Sequence, residues 1–456
     1  YELKPLPKAV HRTQATIFSK SNDDKHGTAT QYVSDSSHLD LPEGRVPAHT
    51  GMQGRHKRNS MIQFAALCWM VFLIGWNDGT TGPLLPRMQQ EYQLGYLIVS
   101  MIFVANSIGF ITGAIANILL TDRLGLGKIM VLGSCVQFVG YVVMCAAPPF
   151  PVIACSYGLT GFGISLQNAQ ANGLLGSLKE HMSVKLGIFH CLYGLGAFVS
   201  PFVSTHFSGI YIWSFHYLIS SGLQLSNLLF LILVFRFRKQ DDILADAGQE
   251  ATNEATDGAR LGDHSTFASM FKLPAVHLLA AFAVIYVGAE VTLGGWIVTF
   301  IIRERGGGPN SGYISSGFFG GLALGRVALL WLNKLVGEER IMYLYSALAI
   351  ALELTVWFVP SIIENAIAVS VIGMLLGPMF PIIISHSSRI LPRWMLTACI
   401  GWIAGVGVSG SAVLPFVTGV LASRFGIRSL QPLMVSIMGT MLVLWVCVPK
   451  VVRRVD

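Results

Sequence analysis

Charge is what this sequence lacks. Only 12% of its 456 residues are Asp, Glu, Lys or Arg, whereas 53% are hydrophobic; a soluble globular chain carries about 25% charged residues. With half that charge, a chain this long cannot cover one or two water-soluble domains with polar groups, so lipid is its solvent. Cysteine offers no framework either. The seven cysteines, at positions 68, 135, 145, 155, 191, 399 and 447, are odd in number and all fall inside apolar blocks, without disulfide or metal-ligand spacing. There is no P-loop, which leaves ATP-driven work unsupported, and no serine, cysteine or metal constellation for covalent chemistry. No enzyme activity and no cofactor are expected. The net charge of +7 would suit nucleic acid only if it gathered on one basic face. The basic residues lie instead in short runs between apolar blocks, so no nucleic-acid partner is expected.

What the sequence does have is a succession of apolar blocks. Residues 1–60 are polar, without apolar periodicity or a signal-like apolar core, and read as a disordered tail. From residue 61, blocks long enough for membrane helices of roughly 20 residues recur near 61–85, 96–120, 128–147, 151–176, 183–206 and 212–235. A second set lies near 273–302, 311–333, 340–360, 365–388, 395–423 and 430–449. The expected fold is an all-α membrane protein of twelve transmembrane helices in two six-helix bundles, 61–235 and 273–449. Between them, 236–272 is an acidic, Ala/Gly/Thr-rich run that reads as a solvated linker, and 450–456 is a short tail. From position 55 onward, Arg87, Arg303, Arg305, Arg424 and Arg428 lie on one side of the membrane, Arg326 lies inside a span, and the other nineteen Lys and Arg lie on the opposite side. The positive-inside rule therefore predicts a multi-pass protein with both termini and the linker cytoplasmic, and the plasma membrane is the expected location.

The two halves repeat one another. Gly187, Gly196 and Pro201-Phe202-Val203 of the fifth span recur as Gly401, Gly410 and Pro415-Phe416-Val417 of the eleventh, at an offset of 214. Asp78 and Glu290, like Gly161 and Gly373, are 212 apart. Paired bundles around a midplane site are the architecture of a rocking-bundle transporter.

After the second span, Asp122-Arg123-Leu124-Gly125-Leu126-Gly127-Lys128 resembles the cytoplasmic loop signature of the major facilitator superfamily, GxLxDRxGRK, with Ile118 at its first glycine and Gly127 at a basic position. Asp122, Arg123 and Lys128 are read as a conformational latch that joins two helix ends in one of the two conformations. Within that superfamily the chain is similar to the proton-coupled fucose permeases and their fungal-type members. The resemblance rests on Trp76-Asn77-Asp78, Leu84-Leu85-Pro86 and Gln89-Gln90 near the first span, Gly161-Phe162-Gly163 and Ala171-Asn172 in the fourth, and Leu186 to Ala197 in the fifth. It implies alternating access, with Asp78 as a proton-linked carboxylate. The family's second carboxylate corresponds to Asn168 here, which cannot titrate, so Glu290 takes the proton, Asp78 works alone, or transport follows the solute gradient.

Four ionisable residues fall well inside spans: Asp78, Glu290, Arg326 and Glu353. Such groups face a cavity or a partner. Asp78 and Glu290 are the candidates for proton coupling, the glycines and Pro83 around Asp78 being placed to interrupt the first helix. Arg326 binds solute or pairs with Glu353. Gln167, Asn168, Gln170 and Asn172 offer the donors and acceptors a sugar-like solute needs. His190 and Tyr193 share a second polar face, and Trp296 and Trp402 are candidates for stacking on a sugar ring. Gly196, Pro201, Gly410 and Pro415 are candidates for helix bending. The expected function is a secondary active transporter, taken to be monomeric in lipid, that moves a sugar-like polar solute with protons. The alternative is a proton-driven exporter of a metabolite or drug, because Gly187, Gly196, Ser200, Pro201, Ser204 and Thr205 form a degraded version of an antiporter signature.

Overall fold

The computed structural model describes residues 48–178, 182–248, 269–392 and 395–450. The expectations for residues 1–47, 249–268 and 451–456, which comprise most of both tails and of the linker, lie outside the described residues.

Every regular element among the described residues is helical. In the first half these are α1 (Gly54–Glu91), α2 (Tyr96–Leu124), α3 (Leu126–Cys145), α4 (Phe150–Gly176), α5 (Met182–Ser208) and α6 (Phe215–Phe235). In the second half they are α7 (Pro274–Glu304), α8 (Pro309–Ala328 continued by Leu330–Val336), α9 (Glu338–Phe358), α10 (Ile362–Ile390), α11 (Ala398–Phe425) and α12 (Ile427–Cys447). Ten are long and apolar enough to cross a membrane, and α8 joins them as a pair bent by 54°. The twelfth, α4, has 27 residues, ample for a hydrocarbon core of about 30 Å at about 1.5 Å per residue. It is less apolar because Gln167, Asn168, Gln170 and Asn172 occupy its second half. The chain is thus an all-α, multi-pass membrane protein.

The internal repeat has a physical cause in backbone contact. A Cβ on Gly75 of α1 would collide with the Tyr193 carbonyl of α5, and one on Gly196 of α5 with the Phe72 carbonyl of α1. In the second half, a Cβ on Gly410 of α11 would collide with the Val284 carbonyl of α7. Gly161 meets the Asn106 carbonyl of α2 in the same way, and its counterpart Gly373 the Phe318 carbonyl of α8. Only residues without a side chain let helix backbones meet this closely, so the offsets in the sequence mark equivalent helix crossings.

The apolar core divides unequally. One cluster spans both halves, from Leu84, Ile102 and Phe103 to Trp296, Ile301 and Phe319. A second, around Met70, Met130, Phe189 and Leu231, stays within the first half and takes in Ile243 and Leu244 of the linker. The halves are therefore fused at the end opposite the linker and separate at the linker-bearing end.

Two boundaries differ from the sequence reading. Residues 48–60, assigned to the tail, are helical and run without a break into the first span. The start of the linker is docked rather than solvated: a short helix, Gln240–Asp246, buries Ile243 and Leu244. His56 Nδ1 donates to the Asp246 carbonyl at 2.9 Å, Gln63 Nε2 donates to the Ile243 carbonyl at 3.2 Å, and the Gly127 amide donates to the Arg238 carbonyl at 2.9 Å. Two apolar side chains in an acidic run, gripped by a polar helix end, leave no mark on a hydropathy profile.

Candidate functional site: a cleft between the halves

Two helix pairs close the cleft at the end opposite the linker. Along the first, Gly194, Phe198, Phe202 and Thr205 of α5 face Ala323, Gly320, Tyr313 and Gly312, the Phe202 and Tyr313 rings lying 5.8 Å apart. Along the second, Ser107 of α2 meets Ser411 of α11 with 3.2 Å between hydroxyl oxygens, and Gly419 of α11 lies against Ser100. Below these seams, towards the linker, Gly173, Gly176, Gly187, Gly401 and Gly405 have open space where a side chain would stand. With both seams lying towards the opposite end, the cleft opens towards the linker-bearing end.

The Ser107–Ser411 contact gives a direct check on this geometry. In Ser107→Cys/Ser411→Cys, the two sulfurs need only a small rotation to reach disulfide geometry. Oxidation is expected to fix the opposite end shut and to reduce solute flux at least about tenfold, with recovery on reduction. Full flux in the cross-linked protein would show that this seam does not part during transport.

A polar cluster lies where the seams end. Asp78 of α1 accepts the Tyr193 hydroxyl of α5 at 2.6 Å through Oδ2, and the Asn77 amide at 3.1 Å through Oδ1. Asn77 in turn accepts the Tyr141 hydroxyl of α3 at 3.0 Å. From the second half, Glu290 of α7 faces the same space and its charge acts on Asp78. Tyr286, one turn before Glu290, brings its hydroxyl beside both Glu290 and Arg326 without meeting hydrogen-bond geometry to either. The Arg326 guanidinium of α8 lies 5.8 Å from the centre of the Tyr193 ring, and its charge also acts on the exposed His190. Asp78, Tyr193, Glu290 and Arg326 are all half-buried.

The structure therefore brings together Asp78, His190, Tyr193, Glu290 and Arg326 from opposite halves, and adds Asn77, Tyr141 and Tyr286, which the sequence reading missed. Tyr286 was findable, since it stands four residues before Glu290 and shares its helix face. Tyr141 had no such signal, being a lone tyrosine in an apolar span. Chemically, the cluster offers two carboxylates, one guanidinium, phenols and an amide around an accessible space. That set can take up a proton and hydrogen-bond a hydroxylated solute, and its excess of carboxylates disfavours an anionic one.

Other expected site residues stand elsewhere. Gln167 is buried against α3, accepting from Gln137 Nε2 at 2.7 Å and donating to the Met130 carbonyl at 3.2 Å. Gln170 donates to Asn117 Oδ1 at 2.6 Å and Thr121 Oγ1 at 3.0 Å, both on α2. These two amides join helices within the first half. Asn168 and Asn172 sit on the other face of α4, half-buried, with Asn172 Nδ2 donating to Asn168 Oδ1 at 2.8 Å. Trp296 is fully buried in the closed end, packed on Tyr96 and Phe103 and donating to the Pro415 carbonyl at 3.1 Å. Trp402 packs edge-on against Phe271 at 4.8 Å, at the linker-bearing end of α7 and away from the cluster. Neither tryptophan faces the Asp78 cluster.

Two further expectations need correction. The Arg326–Glu353 ion pair does not form: Arg326 points to Tyr193 and Glu290, whereas Glu353 is fully buried on α9 with neither carboxylate oxygen hydrogen-bonded. Hydropathy registers a charge inside a span but not the direction it faces. Next, α1 is not interrupted at Asp78, because Pro83 and Pro86 lie within a continuous helix. Pro201 is likewise inside α5, and the helical break in α11 comes at Ser409, ahead of Gly410 and Pro415. In this conformation, with the cleft open at their end, Asp122, Arg123 and Lys128 are exposed and, among the described residues, enter no ion pair. Their loop instead rests on the linker, where Gly127 abuts the Arg238 backbone.

Residues 67–397 match the profile of the family described as Major Facilitator Superfamily. Bypass of stop codon protein 6 of Saccharomyces cerevisiae is 26% identical over 417 residues, covering 86% of this chain and 83% of that protein. The glucose/mannose transporter GlcP of Bacillus subtilis is 21% identical over 389 residues, covering 84% of this chain and 92% of that protein. Among solved structures, the E. coli fucose:proton symporter FucP superposes with a TM-score of 0.58 at 16% identity, over 85% of this chain and 99% of that one. At that identity the likeness is one of fold.

Proposed function

Because the chain belongs to the Major Facilitator Superfamily, whose members carry small-molecule solutes, we propose that it moves a sugar-like, hydroxyl-rich solute by alternating access, coupled to protons through Asp78 and Glu290. The observation that carries this reading is the Asp78 cluster, in which a half-buried carboxylate held by a tyrosine hydroxyl faces a second carboxylate and a guanidinium across the cleft. Hydroxyl groups of a solute can donate to the carboxylates and accept from Arg326 and the phenols. A proton taken by Asp78 removes a charge that is costly to carry through the occluded state. With the linker and termini on the cytoplasmic side, as the positive-inside rule places them, the described conformation faces the cytoplasm. The glucose/mannose transporter among its relatives supports a hexose as the first solute to try.

The test is flux into proteoliposomes with a panel of hexoses, pentoses, polyols and nucleosides, with and without an imposed pH gradient. Accumulation of one of these driven by an acid exterior is the expected result. Gradient-driven expulsion of apolar cations with no sugar uptake would overturn the reading in favour of an exporter.

A further inference from the structure

The Tyr193 side chain touches ionisable groups of both halves. Its hydroxyl donates to Asp78 in the first half, and its ring face stands under Arg326 of the second. The backbone around it is fixed on one flank and severable on the other. On the α1 flank, Gly75 lies against the Tyr193 carbonyl and Gly79 against the Ala197 carbonyl, so α1 and α5 move as one. On the α8 flank, Gly194 meets Ala323, one turn from Arg326, across the seam that must part when the cleft opens at its other end.

We propose that Tyr193 is a positioning residue that makes proton release from Asp78 conditional on a closed α5–α8 seam. The inference deepens the proton-coupling reading and rests on it. With the seam closed, the Arg326 cation lies within the roughly 6 Å at which it is attracted to a ring face and holds the phenol where it donates to Asp78. A hydrogen bond donated to a carboxylate stabilises its ionised form and gains strength from that charge. The proton is therefore given up on the linker-bearing side, where the cleft is open. When the seam parts, Arg326 leaves with the second half, the ring loses its restraint, and Asp78 takes a proton at the other face. The remaining groups around Asp78 fit this assignment. Asn77 on α1 and, behind it, Tyr141 on α3 stay with the first half in both states and give no conformational signal. Glu290 and Tyr286 on α7 move with Arg326, as the second half's contribution to the cluster. His190 on α5 lies towards the open end and faces Arg326.

The experiment needs no solute. In detergent-solubilised full-length protein, the infrared carbonyl band that disappears in Asp78→Asn reports the protonated acid, and its intensity is followed against pH. Tyr193→Phe keeps the ring over which Arg326 sits and removes only the donor. Its midpoint is expected to move to higher pH by roughly one to two pH units, the worth of a hydrogen bond to a charged group. Arg326→Lys keeps the charge and the Tyr193 hydroxyl but loses the planar stacking group, so its midpoint should move the same way. If Tyr193→Phe does not fold, Arg326→Lys carries the test alone. Midpoints equal to wild type in the variants that fold, or a wild type with no Asp78-dependent band, overturn the inference. Failure of the underlying coupling reading is separately visible, as wild-type flux indifferent to a pH gradient.

Discussion

Asparagine in place of Asp78 is expected to lower proton-driven accumulation at least about tenfold, and to abolish it where Asp78 is the sole proton carrier, while leaving solute exchange within about threefold of wild type. One pH unit supplies about 1.4 kcal/mol per proton, enough for about tenfold accumulation at one proton per solute and about a hundredfold at two. The substituted amide would keep the shape of the side chain and an oxygen to accept from Tyr193, so the α1–α5 contact survives and only the titrating group is lost. Exchange needs no net proton movement and should persist. Glu290→Gln separates the two stoichiometries: if both carboxylates carry protons, it brings a hundredfold gradient down to about tenfold, and if Asp78 works alone it changes little. Steady-state uptake of the transported solute in proteoliposomes under an imposed one-unit gradient measures all three proteins. Undiminished accumulation by Asp78→Asn would remove Asp78 from the coupling route.

How much of this was legible beforehand depended on whether a residue's role lay along the helix or around it. The number of spans and the internal repeat are one-dimensional facts. Gly196 and Gly410, 214 apart, both proved to lie where an α1–α5 type crossing leaves no room for a side chain. Asp78 and Glu290 could be singled out because a charge in a span is rare whichever way it points. Direction was not available. The spacing of Gln167 and Gln170 put them on one face and Asn168 and Asn172 on another, as the structure has it. Which of those faces met a neighbouring helix depended on α2 and α3, far away in sequence. For Arg326 the sequence left solute binding and a pair with Glu353 both open, and only the packing of α8 against α5 shows the guanidinium standing over Tyr193. The docked linker helix escaped for a different reason, since its anchor consists of hydrogen bonds from the polar start of α1.

The same repeat yields the second large effect, because its two glycine pairs share a spacing and differ in surroundings. Gly187 and Gly401 have nothing within 4 Å of a would-be Cβ, while Gly196 and Gly410 would drive one into a helix backbone. A methyl group can be accommodated against a flexible side chain but not against the Phe72 or Val284 carbonyl without moving a whole helix. Overpacking of a core typically costs about 1–3 kcal/mol, and a backbone obstacle belongs at or beyond the top of that range. Gly196→Ala and Gly410→Ala are therefore expected to lower the melting midpoint in detergent by several degrees or to yield aggregated protein. Gly187→Ala and Gly401→Ala should melt like wild type. Size-exclusion profiles and thermal scans of the four variants decide the matter, and equal behaviour across them would mean that the repeat marks helix flexibility alone. Because Gly75 and Gly196 hold α1 to α5, and with it Asp78 to Tyr193, the damage in Gly196→Ala should extend to coupling. Any folded fraction is expected to accumulate solute less well than its exchange rate implies, whereas Gly410→Ala, whose crossing supports Glu290 through α7, should retain coupling through Asp78.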